Sequence, residues 1–225
     1  DFNKNLKLEN FLIAGINVGD SFRKLAERIY KSDNLPITYD LALQAQKDSF
    51  KNRKGTKLIY GGIISLFPLI ITQLHIKSTD PYKVLDNVKN VLKKTYKKDT
   101  LYLQELENFA YSHHPNHSKY MFEVKDKYKN IFDYYEKDLI AIGEVKPGWN
   151  DRAKTGSSNK EILNGYPILK SMLDLFFNNI KDNKPYLGIS ETSEKVDSLI
   201  RKSFPNAHIQ WLADLHVCLL YLIIS

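Results

Sequence analysis

Gly55-Thr56 and the pair Gly61-Gly62 bracket a short segment that runs straight into the apolar stretch Ile63 to Leu74. Glycines at the mouth of a helix let backbone N–H groups converge on a phosphate, where the aligned peptide dipoles favour negative charge. Asn52, Arg53, Lys54 and Lys57 add polar and cationic side chains to the same segment. No Gly-Lys-Ser/Thr closes it at the spacing of a phosphate-loop NTPase, so the chemistry it suggests is phosphate contact alone. The competing reading is a solvated basic turn between two helices.

Asp133, Glu136 and Asp138 are the acidic group best spaced for general-base work or for holding Mg²⁺. Helical spacing sets Glu136 one turn from Asp133 and turns Asp138 elsewhere, and Lys129 and Lys137 offer both ordinary ion-pair partners. His113, His114 and His117 form the one local histidine cluster. His113 and His117 have the i, i+4 spacing of a helical zinc pair, but Pro115 breaks such a helix and no Glu stands where a His-Glu-x-x-His site needs it. A loop with ordinary histidines is the better reading. Lys89, Lys93, Lys94, Lys97 and Lys98, with Tyr96 and Tyr102 among them, can grip a phosphate backbone or simply complement a helix C-terminus. Trp149 lies in the longest loop, as a substrate lid or as the loop's anchor. No serine sits in a nucleophile-elbow context. Cys218, the only cysteine, lies in an apolar run and reads as a buried thiol.

These residues need elements to carry them, and the apolar spacing supplies helices. Leu8, Phe11, Leu12, Gly15, Val18, Phe22, Leu25 and Ile29 recur at helical intervals until Asn34-Leu35-Pro36 stops them. Thr38 is a fair N-cap for a second helix through Leu41, Ala42 and Ala45. Ile63 to Leu74 is long enough to be a helix buried on all sides. Asp80-Pro81 opens a helix striped by Val84, Val88, Val91 and Leu92. Another carries Leu101, Leu103, Leu106 and Phe109 and ends near Pro115. A long Tyr- and Phe-rich helix is expected from about Ser118 to Ala141. After a loop from Lys146 to Asn159, helix resumes from Ile162 through Phe176; Ser190 caps a short helix and Pro205 opens the last. No strand alternation, repeat or low-complexity tail appears, so the fold is expected to be all-α, a single helical domain over residues 1–225.

The whole-chain figures agree. Apolar residues at 43% and charged residues at 26% of 225 belong to a globular chain, which excludes wholesale disorder. A net charge of +7 and a pI near 9.2 favour polyanionic ligands, whether nucleotides, coenzymes or nucleic acid. The apolar runs Leu58 to Leu74 and Leu215 to Ile224 are polar-interrupted or too short to span a bilayer, so no membrane partner is expected. With one cysteine and no leader at Asp1, the expected location is cytoplasmic.

The order of these segments resembles the triphosphoribosyl-dephospho-CoA synthase family in its archaeal form, over about residues 1 to 175. Leu8-Glu9-Asn10-Phe11-Leu12 and Gly19-Asp20-Ser21-Phe22 are similar to the family's first long helix. Gly55-Thr56-Lys57-Leu58-Ile59-Tyr60-Gly61 resembles its Gly-Thr-Asn-Thr-Asn-Leu-Gly loop before an apolar helix. Leu101 to Ala110 with Pro115, then Lys137-Asp138-Leu139-Ile140-Ala141, then Glu161-Ile162-Leu163 with Pro167-Ile168-Leu169, follow the family's later segments.

The resemblance implies a transferase that joins the ribose carbon of ATP to the ribose 2′-hydroxyl of a dephospho-CoA-like acceptor and releases adenine. It implies Mg²⁺ with the ATP, Asp138 as the assisting carboxylate, and Gly55, Thr56, Lys57 and Gly61 as the nucleotide-binding loop. The departures are specific. The family's Lys-Pro-Gly segment would lie upstream of Asp1, so the chain is expected to be shortened relative to the family at both ends. Lys57, Leu58 and Ile59 replace three polar loop residues; Pro115-Asn116-His117-Ser118-Lys119 replaces a Pro-Gly-Gly-Leu-Gly turn; Ile142 and Gly143 replace Arg and Glu. Polar positions are lost while the apolar framework survives, which implies an alternative. That alternative is a catalytically inactive relative that binds a nucleotide, a protein or nucleic acid.

Overall fold

The computed structural model describes residues 8–52, 58–113, 123–137, 158–181, 194, 198 and 209–225, and helix is the only regular secondary structure among them. The all-α expectation is met.

Helix α1, Leu8–Tyr30, buries Ala14, Val18, Leu25 and Ile29 on one stripe. Its outer face is laced by Asp20 with Arg23 and Lys24, each at 2.7 Å. Such exposed pairs contribute only a few tenths of a kcal/mol, so the buried stripe holds the helix in place. Helix α2, Tyr39–Asp48, packs against α1 and against α5, Lys97–Ser112. Thr38 stands at its N-cap, as its sequence position suggests, but its hydroxyl does not cap the helix. Asp99 does the work from α5: Oδ1 accepts from Thr38 N at 2.7 Å and Tyr39 N at 2.9 Å, while Oδ2 accepts from Tyr96 N at 2.8 Å. One buried carboxylate thus caps two helices and fixes their relative height.

Helix α3, Tyr60–Ile76, is apolar nearly all round and runs through the core, packing on α1, α2, α4, α7 and α9. The ranges of the last three are Pro81–Leu92, Ser158–Leu163 and Ile209–Ile224. Ile63, Ile64, Phe67, Leu69 and Ile71 are all buried, and each such side chain contributes about 1.5–3 kcal/mol of transfer free energy. Pro68 interrupts the backbone ladder inside α3, and Thr72 adds a side-chain bond to the Pro68 carbonyl at 2.7 Å. At the start of α4, Asp80 Oδ1 accepts from Tyr82 N and Lys83 N at 2.9 and 3.3 Å, with Pro81 in the first turn, as expected.

Two helices differ from the periodicity. The described part of the expected helix from Ser118 is irregular until 131–137, labelled α6. Gln104 holds residue 125 in this irregular path through both backbone groups, accepting from Lys125 N at 2.8 Å and donating to Lys125 O at 3.1 Å. Asn130 then starts α6 by accepting from Asp133 N at 2.8 Å. Helix also does not run on from Ile162 to Phe176. It breaks at Asn164-Gly165-Tyr166, where Gly165 (φ +79°) and Tyr166 (φ +59°) are left-handed, and restarts as α8, Pro167–Lys181. Buried Glu161 caps the restart, accepting from Ile168 N at 2.7 Å and Leu169 N at 3.0 Å.

Candidate functional site

The mouth of α3 is where the sequence reading converges with an unexpected carboxylate. Ile59 occupies the N-cap position of α3 and makes no side-chain cap. Gly61 and Gly62 form its first turn, and Asp214 from α9 lies directly against them. A Cβ on Gly61 would stand 1.9 Å from Asp214 Oδ2 and 2.6 Å from its Cγ. Only a residue without a side chain admits the carboxylate there. Asp214 has no hydrogen bond or ion pair among the described residues, and burial alone pushes its carboxyl up to about 7. A carboxyl raised to that range has both its protonated and its ionised form within reach at neutral pH.

Behind this mouth the core is lined with phenols. Tyr60 and Tyr111 are hydrogen-bonded neighbours with ring centroids 5.8 Å apart, and Glu107 lies close enough to help raise Tyr60, after burial. Tyr134 donates its hydroxyl to Glu107 Oε2. Tyr166 donates to the Ser65 carbonyl at 2.5 Å, tying the left-handed turn before α8 to the middle of α3. Burial pushes the phenols of Tyr39, Tyr135 and Tyr166 well up, so all three are neutral donors. The hydroxyls of Tyr39 and Tyr135 and the amide of Gln46 are buried without hydrogen-bond partners among the described residues. Burial, then the charges of Asp214 and Glu161, push the Cys218 thiol well up, which keeps it an inert thiol as the sequence suggested. Glu161 is itself pushed up to about 7 by burial, but its carboxylate is engaged as the cap of α8.

Of the residues expected to form the site, Gly61 sits in the first turn of α3. Gly55, Thr56, Lys57 and Asp138 lie outside the described residues, as do His114, His117 and Trp149. Asp133 makes structural bonds, to Lys137 Nζ at 2.8 Å and Lys129 N at 3.0 Å. His113 is stacked, its ring centroid 4.2 Å from Phe50 and 4.7 Å from Phe109, with Nδ1 2.8 Å from the Phe109 carbonyl. No three His, Cys, Asp or Glu among the described residues are grouped to hold a metal. Asp214 is not singled out in the sequence reading, although it is the one acid in the largely apolar α9, a placement that signals a buried carboxylate.

No protein-family model, curated protein or solved structure matches the chain. Among the described residues no helix is long and apolar enough to cross a membrane.

Proposed function

We propose that the chain is a divergent transferase similar to triphosphoribosyl-dephospho-CoA synthases, acting on ATP and a dephospho-CoA-like acceptor at the mouth of α3. The observation that carries this reading is the desolvated carboxyl of Asp214 lying on Gly61, pushed up to about 7. The reaction needs one proton moved. The acceptor hydroxyl oxygen bonds to the ribose carbon, the bond from that carbon to adenine breaks, and the hydroxyl proton leaves for the departing base. A carboxyl that titrates near neutrality can accept that proton and return it to the adenine nitrogen. Asp214 is therefore the proposed proton carrier; Asp138, which the resemblance singles out, is the other candidate. Mg²⁺ enters only as the companion of the ATP phosphates, and no step here runs through it.

One observation favours the second reading, a non-catalytic relative that binds a nucleotide, a protein or nucleic acid. The carboxylate on Gly61 occupies the positive end of α3 and, when ionised, repels a phosphate there, which counts against ATP as a substrate at this mouth and leaves any nucleotide or nucleic acid to bind elsewhere. Adenine release from ATP with dephospho-CoA, followed chromatographically, separates the two. The transferase reading expects adenine and a matching amount of ribosylated acceptor, with loss of at least a hundredfold in Asp214→Asn. Tight nucleotide binding with no adenine released favours the second reading. Absence of ATP or dephospho-CoA binding at millimolar concentration ends the first.

A further inference from the structure

The turn between α4 and α5 carries Lys93, Lys94, Lys97 and Lys98, all exposed. In sequence these form an isolated basic run. The connector before α6 brings a second basic group, Lys125, Lys127 and Lys129, onto the same corner. Three contacts pin the connector there. Asn130 Nδ2 donates to the Lys93 carbonyl at 3.1 Å, Ile131 N donates to Thr95 Oγ1 at 2.9 Å, and Lys97 Nζ meets Asp126 Oδ2 at 2.9 Å. Seven lysines thus face Glu123, Asp126 and Asp133; Asp126 already meets Lys97, and Asp133 is held by Lys129 N and by Lys137, outside the seven.

Aromatic rings are interleaved with these charges. The Nζ of Lys93 stands 4.6 Å from the Phe132 ring centroid, that of Lys127 5.1 Å from Tyr128, and that of Lys98 5.8 Å from Tyr102. Such contacts hold the lysine stems in place and leave N–H donors facing out. Tyr96, 46% exposed just before α5, presents part of its ring to solvent.

We propose that this corner is a binding surface for single-stranded nucleic acid. The lysines track phosphates and Tyr96 stacks a base, a contact available only where bases are not already stacked in a duplex. An anionic membrane would share the charge term, but it calls for apolar side chains to insert. Among the described residues, Tyr96 and Val124 are the only large hydrophobics exposed at this corner. The surface is independent of the α3 mouth and of the transferase reading.

The test is fluorescence anisotropy with a labelled oligothymidylate of about 20 nucleotides at about 50 mM salt, repeated as salt is raised. The wild-type chain should bind with a steep salt dependence. Lys93→Ala/Lys94→Ala/Lys98→Ala should weaken binding at least tenfold and make the log–log salt slope shallower by about 2. Tyr96→Ala should weaken it severalfold with the slope unchanged. A charge-matched control at exposed lysines elsewhere, Lys31→Ala/Lys47→Ala/Lys83→Ala, should stay within about twofold. Circular dichroism checks that each variant is folded, and Lys94→Glu/Lys127→Glu gives a second reading of the same patch. Equal loss in the control variant, equal affinity for duplex, stronger competition by vesicles of about 30% anionic lipid, or no binding at the lowest salt would each overturn the proposal.

Discussion

At the scale of single residues, the contact between Gly61 and Asp214 is the most constrained feature of the site. A side chain at position 61 must displace the carboxylate, because Asp214 Oδ2 stands 1.9 Å from where its Cβ would lie. Gly61→Ala is expected to destabilise by about 1–3 kcal/mol, the usual cost of overpacking, although alanine improves helix propensity. Asp214→Ala removes the obstructing atoms. The double variant should therefore be more stable than the sum of the two single losses predicts, by roughly 0.5–2 kcal/mol. Urea denaturation of the four proteins measures this coupling. Strict additivity would mean that the carboxylate does not sit on the glycine. The same pair bears on activity, because Gly61→Ala should lower adenine release by moving the carboxylate while leaving Asp214 chemically intact.

Among the elements, α2 and α5 depend on a single side chain. Asp99 accepts from Thr38 N, Tyr39 N and Tyr96 N. Asp99→Ala strips caps from two helices and leaves buried N–H groups unpaired, so a loss of about 3 kcal/mol is expected in urea denaturation. Asp99→Asn should recover part of it, since one oxygen still accepts. Thr38→Ala should cost far less, because its hydroxyl caps nothing. This division of labour explains what was legible in the sequence. Helices α1, α3 and α4 follow from apolar spacing and from Asp80-Pro81, which are local signals. The cap on α2 comes from a residue far along the chain and leaves no local trace. Helix α6 starts late because Gln104 ties up both backbone groups of Lys125, again a long-range cause. The break at Gly165-Tyr166 had a local sign in Gly165 itself, masked by apolar residues that keep a helical rhythm on both sides. The site divides in the same way. Gly61 stood out as a glycine before a buried helix, whereas Asp214 reaches it from the other end of the chain through packing of α9 on α3.

For the whole molecule, buried carboxyls set how stability varies with pH. Burial raises Asp214 from 3.8 and Glu161 from 4.5, each to about 7. Between the unfolded and folded values the folded chain binds more protons than the unfolded one, so stability falls as pH rises. The contribution of each group is complete below about pH 4, declines through the window, and is gone above about 7. One histidine and three aspartates act against this trend or bound it. His75 is lowered, by burial and then by Lys94, so it adds stability as pH rises toward 6.5. Asp20, Asp48 and Asp133 are lowered by their hydrogen bonds and lysine partners, so they add stability above their unfolded value of 3.8 and lose it in acid. Three raised carboxyls, Asp99 by burial along with Asp214 and Glu161, outweigh one histidine, and the expected result is a stability maximum on the acid side of neutrality, with a decline from about pH 5 to 7. Urea midpoints taken across that range should show it. Asp214→Asn should flatten the decline and make the protein more stable at pH 8 than wild type, because a neutral amide replaces a carboxylate that burial disfavours. Glu161→Gln should flatten the slope as well but gain less at pH 8, because its carboxylate also accepts two backbone N–H groups. A wild-type midpoint that rises steadily from pH 5 to 8 would mean that both carboxyls are solvated, and Asp214 would lose its claim to carry a proton at neutral pH.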